Sequence, residues 1–228
     1  MNGIKNEFSL LYRIAAASAF AMITLIPIQI LVFVISPPPI SVAGYFDLFT
    51  RSPLLGLLSL DLLYIINSIL IIPMYLAFYF SLKDLNKSAL ILAMTFGFVG
   101  LAAYFPSNVS FEMLNLSMKF AAASGDLPRQ ALLAAGESLL AIYVGSTFNV
   151  YYVLNALTLI TISLVMFRSA VYGRVAAWIG LIAGLLMVIP STAGQIGMIF
   201  SLLSLLPWIV FTLLAAGRFR RLSQPSKI

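Results

Sequence analysis

The chain has 228 residues, 62% hydrophobic and 9% charged, with a net charge of +6 and neither cysteine nor histidine. Soluble domains run near 45–50% apolar and about 25% charged, so the composition excludes an ordinary soluble domain and reads as one integral membrane domain over residues 1–228. Without cysteine or histidine, disulfides, thiol catalysis, a haem axial histidine and His- or Cys-based zinc sites all drop out, and neither cofactor nor metal is expected.

A polar lead over residues 1–13 carries Lys5 and Arg13, and the first span is expected at 14–35. Its apolar core is longer than the 7–15 residues of a signal-peptide core, so it reads as a retained helix. Pro27 should kink it by removing one backbone bond and crowding the preceding turn, and Gln29 follows just beyond. Ser36-Pro37-Pro38-Pro39 ends the run. Tyr45, Phe46 and Phe49 beside Asp47 and Arg51 then read as a short interfacial piece. Pro53 favours a helix start, and the second span is expected as one helix over 54–80 with Asp61 and Asn67 inside it and a kink at Pro73. A helix of that length exceeds a straight crossing, which implies tilt or protrusion. Ser81 to Ser88 is a polar turn with Lys83 and Lys87, and a third span is expected at 89–105, stopping near Pro106.

Residues 107–147 are too polar to span a membrane and too apolar to be disordered. Asn108, Glu112, Asn115 and Lys119 share one helical stripe, while Phe111, Leu114 and Met118 share another face. After Ser124-Gly125, Asp126 reads as an N-cap and Pro128 as a first-turn proline. The segment is expected to form two amphipathic helices on or against the membrane, joined near Gly125.

Two apolar runs follow at 148–167 and 175–190, joined by a turn with Arg168 and Arg174. About 20 apolar residues carry a helix across a ~30 Å hydrocarbon layer. An unpaired backbone group costs several kcal/mol in lipid, so each run should be helical and the pair a transmembrane hairpin. Gly180 and Gly184, extended back by Ala176, let helix backbones approach closely, within the chain or between two copies. The last span is expected at 196–217 with Pro207-Trp208 inside it, before a basic tail.

Charge sets the threading. With six spans and both termini cytoplasmic, Lys5, Arg13, Lys83, Lys87, Arg168, Arg174, Arg218, Arg220, Arg221 and Lys227 fall on the inner side. Only Arg51, Lys119 and Arg129 fall outside, as the positive-inside rule requires. The acids lean the other way: Asp47, Glu112, Asp126 and Glu137 lie outside, Glu7 and Asp84 inside. The basic residues thus flank helices rather than build a continuous phosphate-binding face, and no nucleic-acid partner is expected. The expected fold is an all-α, polytopic six-span bundle of the cell membrane, with two amphipathic extracytoplasmic helices between spans three and four.

The stretches AAGESLL (134–140) and LVMFRSAVYGRVAAWIGLIAGLLMVIP (164–190), with the Leu206-Pro207-Trp208 step, carry a resemblance. In these, and in its length and amphipathic insert, the chain resembles a family of bacterial membrane proteins known as domain of unknown function 4386. The resemblance implies a multi-span bacterial protein without an assigned activity, and it supplies no catalytic residue.

Asp61 is the only acid expected inside a span, about eight residues from its outer end, or roughly 12 Å deep at 1.5 Å per residue. A charge there costs about 2.5–3.5 kcal/mol on insertion scales, so such residues face the interior and tend to be functional. Tyr64 and Ser68 follow on the same helical face, and Gln29 and Asn155 fall at similar depth. Together they describe an outward-facing polar layer, with Glu112 in a lid above it. Two readings stay open at this point: a pocket for a small molecule or lipid, or a satisfied network that glues helices together. The first makes the protein a binding or transport-like protein. The alternative is a non-catalytic accessory or scaffold subunit with a membrane-protein partner or a second copy of itself. Glu112 and Glu137 are too far apart in sequence to argue for an acid–base pair, and no enzyme is expected.

Overall fold

The computed structural model describes residues 7–224; Lys5 and Lys227, counted above on the inner side, lie outside them. The described residues form ten α-helices and no strand: α1 (Ser9–Ile35), α2 (Val42–Arg51), α3 (Pro53–Ser59), α4 (Leu62–Leu82), α5 (Lys87–Ser107), α6 (Ser110–Ala122), α7 (Asp126–Tyr143), α8 (Ser146–Met166), α9 (Gly173–Leu186) and α10 (Gly194–Leu222). Helices α1, α4 and α10 continue through Pro27, Pro73 and Pro207. The interfacial piece is a helix, capped where the Ser41 hydroxyl accepts from the Gly44 N–H at 3.2 Å. An Arg51–Asp47 ion pair at 2.6 Å, one turn apart, lies on its exposed side.

Five helical stretches are long and apolar enough to cross a membrane: Ser9–Ile35, Leu62–Leu82, Lys87–Ala122, Asp126–Met166 and Gly194–Leu222. The third and fourth each join an insert helix to its apolar neighbour. Their outward rows are apolar, as with Leu31 and Ile35 on α1 (57% and 73% exposed) and Leu202 and Leu206 on α10 (62% and 71%). Water would not tolerate a contiguous surface of that kind, so this is a membrane-embedded protein. α9 has 14 residues, or roughly 21 Å at 1.5 Å each, shorter than the 175–190 run expected and shorter than the other five.

One expectation is corrected. The second apolar run is not a continuous helix over 54–80: it breaks after Ser59, and α4 begins only at Leu62. Asp61 therefore stands in the break, one residue ahead of the membrane-spanning helix, and not inside a span. A smaller correction concerns Asp126. It is the first helical residue of α7, and Gly125 before it takes the cap position with φ +91°, a backbone that glycine adopts without strain.

The chain divides into two compact units. The first comprises the described residues of 1–24, 68–102 and 149–228. Phe78 centres its aromatic core, with ring centroids 4.9 Å from Phe219, 5.6 Å from Tyr172 and 5.7 Å from Phe211. The Tyr172 hydroxyl bonds Ser81 Oγ at 2.7 Å. α9 is wedged in by its small residues: a Cβ on Gly180 would meet Ser163 Oγ at 2.4 Å and the Phe211 ring at 2.6 Å, and one on Gly184 the Ile160 backbone N at 3.1 Å. The GxxxG pair is thus used for packing against α8 and α10 within the chain.

The second unit comprises residues 25–67 and 103–148. Here the amphipathic helices close on a small core of Val42, Tyr45, Phe46, Phe49, Leu60 and Met113. Gly136 of α7 admits Val42, whose Cγ1 would lie 2.4 Å from an added Cβ, and Gly56 of α3 admits the Phe49 ring in the same way. The polar stripe Glu112, Asn115 and Lys119 is exposed on the other side of α6.

Candidate functional site at the break before α4

A helix break strands backbone carbonyls that would otherwise bond four residues on. Here they are answered from two distant elements. The Leu58 carbonyl accepts from the Asp61 N–H at 3.3 Å and from Gln29 Nε2 of α1 at 3.2 Å. The Leu60 carbonyl accepts from Asn108 Nδ2 at 2.9 Å. Asn108 is held in turn by Ser110, whose N–H and hydroxyl donate to its Oδ1 at 3.2 Å and 2.6 Å. Asp61 then starts α4, its own carbonyl accepting from the N–H groups of Tyr64 and Ile65 at 3.0 Å and 3.1 Å.

Asp61 does this with φ +64°, the one positive φ on a non-glycine residue among those described. Such a backbone costs an L-residue roughly 1–2 kcal/mol, least for Asp and Asn. The strain is held by the carbonyl caps and sends the side chain toward the end of α7. There the Tyr143 hydroxyl donates to Asp61 Oδ2. Among the described residues no donor reaches Oδ1 and no lysine or arginine forms an ion pair with the carboxyl. Burial pushes the carboxyl up to about 6, with the Tyr143 bond opposing the shift. Burial, then the charge of Asp61, hold the Tyr45 hydroxyl up at about 12.

Two further acceptors in this unit lack donors. Gln29 Oε1 and Asn67 Oδ1 are buried with no hydrogen-bond partner. Buried polar atoms are almost always paired, so each of these two oxygens is open to a donor from a bound molecule or water. Tyr64 is half-buried, its ring edge-on to Tyr104 at 5.2 Å.

The expected polar layer is thus only partly brought together. Asp61, Gln29 and Tyr64 share the second unit, and Glu112 belongs to the same unit but is exposed in the first turn of α6, where its charge suits a helix N-terminus. Ser68 and Asn155 belong to the first unit. Ser68 is buried with its hydroxyl unpaired. Asn155 is fully committed: its Oδ1 accepts from the Tyr75 hydroxyl, its Nδ2 donates to the Tyr151 carbonyl at 2.8 Å, and Gly100 lies against the amide. That is interhelical glue.

Sequence reasoning did not single out Tyr143 or the capping role of Asn108, and it read Tyr45 only as part of an interfacial piece. Tyr143 lies 82 residues from Asp61, and its only local signal is its place as the last residue of an amphipathic helix. Among the described residues no group of three Asp, Glu, His or Cys is placed to hold a metal ion. Comparison with family models, curated proteins and solved structures finds no match to the chain.

Proposed function

We propose that this is a six-span protein of the bacterial cell membrane, both termini cytoplasmic, that binds or carries a small molecule or lipid at an outward-facing site anchored by Asp61. It groups with the domain of unknown function 4386 proteins that its hairpin resembles. α9 serves as the sixth span: it packs through Gly180 and Gly184 against α8 and α10, and bilayer thinning accommodates a short helix at modest cost.

One observation carries the reading. A partly buried carboxyl is held in a strained break, and among the described residues one of its oxygens has no donor and no cation pairs with it. A purely structural network would not leave Gln29 Oε1 buried and without a donor among the described residues. Nothing in the arrangement calls for catalysis, and the reading assigns none. The accessory-subunit reading drew on the small-residue faces of α9, which are filled within the chain.

The test is a thermal-shift screen of neutral, anionic and cationic small molecules and lipids on the purified full chain and its Asp61→Asn variant. Asn is isosteric with Asp and tolerates the left-handed backbone, so the variant removes charge and little else. At least one compound should raise Tm of the wild type and lose its effect in the variant. A screen in which no compound distinguishes the two proteins refutes the reading.

A further inference from the structure

The atoms left open at the break narrow what the site takes. Asp61 and Gln29 are tied to the same carbonyl, that of Leu58, at 3.3 Å and 3.2 Å. Gln29 gives one of its two amide N–H groups to that carbonyl, and its Oε1 remains buried and without a donor among the described residues. Asp61 spends Oδ2 on Tyr143, so Oδ1 remains. Both open atoms are acceptors and one carries charge. An anion would be repelled, and a neutral donor would leave the charge uncompensated.

Between cations the occupied carbonyls decide. A bare metal ion gathers six or more oxygens for a hard cation such as Ca²⁺ or Mg²⁺. Here the Leu58 carbonyl already accepts from two donors and the Leu60 carbonyl from one, which leaves too few free oxygens for such a shell. A quaternary ammonium carries no N–H, so it would leave Gln29 Oε1 unanswered. A primary ammonium has three N–H donors in addition to its charge. Asp61 also stands one residue ahead of the span Leu62–Leu82, at the level where lipid headgroups lie. Resting on the reading that Asp61 anchors the ligand, we infer that the site takes a primary ammonium group, from an aminophospholipid headgroup or a free amine, with Asp61 supplying the charge and Gln29 an oriented acceptor.

The experiment uses the full chain in an uncharged detergent near pH 7.5. Its Tm is followed against ethanolamine, tetramethylammonium and sodium, and in mixed micelles containing phosphatidylethanolamine or phosphatidylcholine. Ethanolamine, phosphatidylethanolamine or both should stabilise the wild type, and the one that acts identifies the source. Tetramethylammonium, sodium and phosphatidylcholine should leave Tm unchanged. Gln29→Leu should weaken the response about tenfold to a hundredfold, the usual effect of losing one hydrogen bond to a charged group. Asp61→Asn and Asp61→Gly should abolish it. Glycine relieves the positive φ, so it keeps a folded test protein available if Asn does not. Equal stabilisation by tetramethylammonium or phosphatidylcholine overturns the inference, since N–H donors would then not be read. Absence of any response to either primary-ammonium source overturns it too. In that case an Asp61-dependent shift with some other compound leaves the binding site standing, and its absence removes both.

Discussion

The carboxyl of Asp61 sits near 6 instead of the 3.8 of an exposed acid, so the folded chain holds that proton more tightly than the unfolded chain does. This contribution to stability is fully present below about pH 4 and is lost as pH rises through about 6. Two pH units at 1.36 kcal/mol each put it on the order of 3 kcal/mol. The groups facing the carboxyl are the Tyr143 and Tyr45 hydroxyls, neither of which ionises in that window. The Tm difference between wild type and Asp61→Asn should therefore shift against the wild type between pH 4 and 6 and level off above 7. A difference independent of pH would mean that the carboxyl titrates like an exposed one. At this scale the sequence made Asp61 and Gln29 visible, because a lone acid and a lone amide stand out in apolar runs. It could not show Tyr143, one of ten tyrosines, since nothing local ties it to a residue so far upstream.

The existence and order of the helices were legible because lipid leaves the backbone no alternative to internal pairing. The amphipathic pair was legible from its two stripes. The break before α4 was not. PLLGLLSLDLL reads as unbroken apolar helix, and what opens it is tertiary: Gln29 and Asn108, 29 and 48 residues from the carbonyls they cap. Packing at α9 was half legible, since small residues at i and i+4 announce a close approach without naming the partner. Gly180 and Gly217 make a paired test. Alanine at Gly180 would set its Cβ on Ser163 and Phe211, whereas nothing lies within 4 Å of a Cβ on Gly217. Gly180→Ala should destabilise by about 1–3 kcal/mol, as overpacking does. Gly217→Ala should be neutral or stabilising by up to about 1 kcal/mol, from helix propensity. Chemical denaturation in a constant detergent would read both, and equal effects would place α9 elsewhere than against α8 and α10.

The account of the whole molecule joins two claims, that the chain threads the bilayer six times and that the unit holding Asp61 meets the outside. Both rest on the basic turns lying on one face of the membrane, and the sixth crossing further requires that the short α9 span it. The chain contains no cysteine, so single cysteines can be introduced without altering a background. Lys87, Arg129, Arg174 and Thr192 are all exposed; Arg174 lies in the first turn of α9 and Thr192 beyond its end. The most direct measurement is labelling of these four single-cysteine variants in intact cells with a membrane-impermeant maleimide. The account predicts that Arg129→Cys and Thr192→Cys react in intact cells, while Lys87→Cys and Arg174→Cys react only after the membrane is opened. Lys87→Cys and Arg129→Cys reacting from the same side would contradict it.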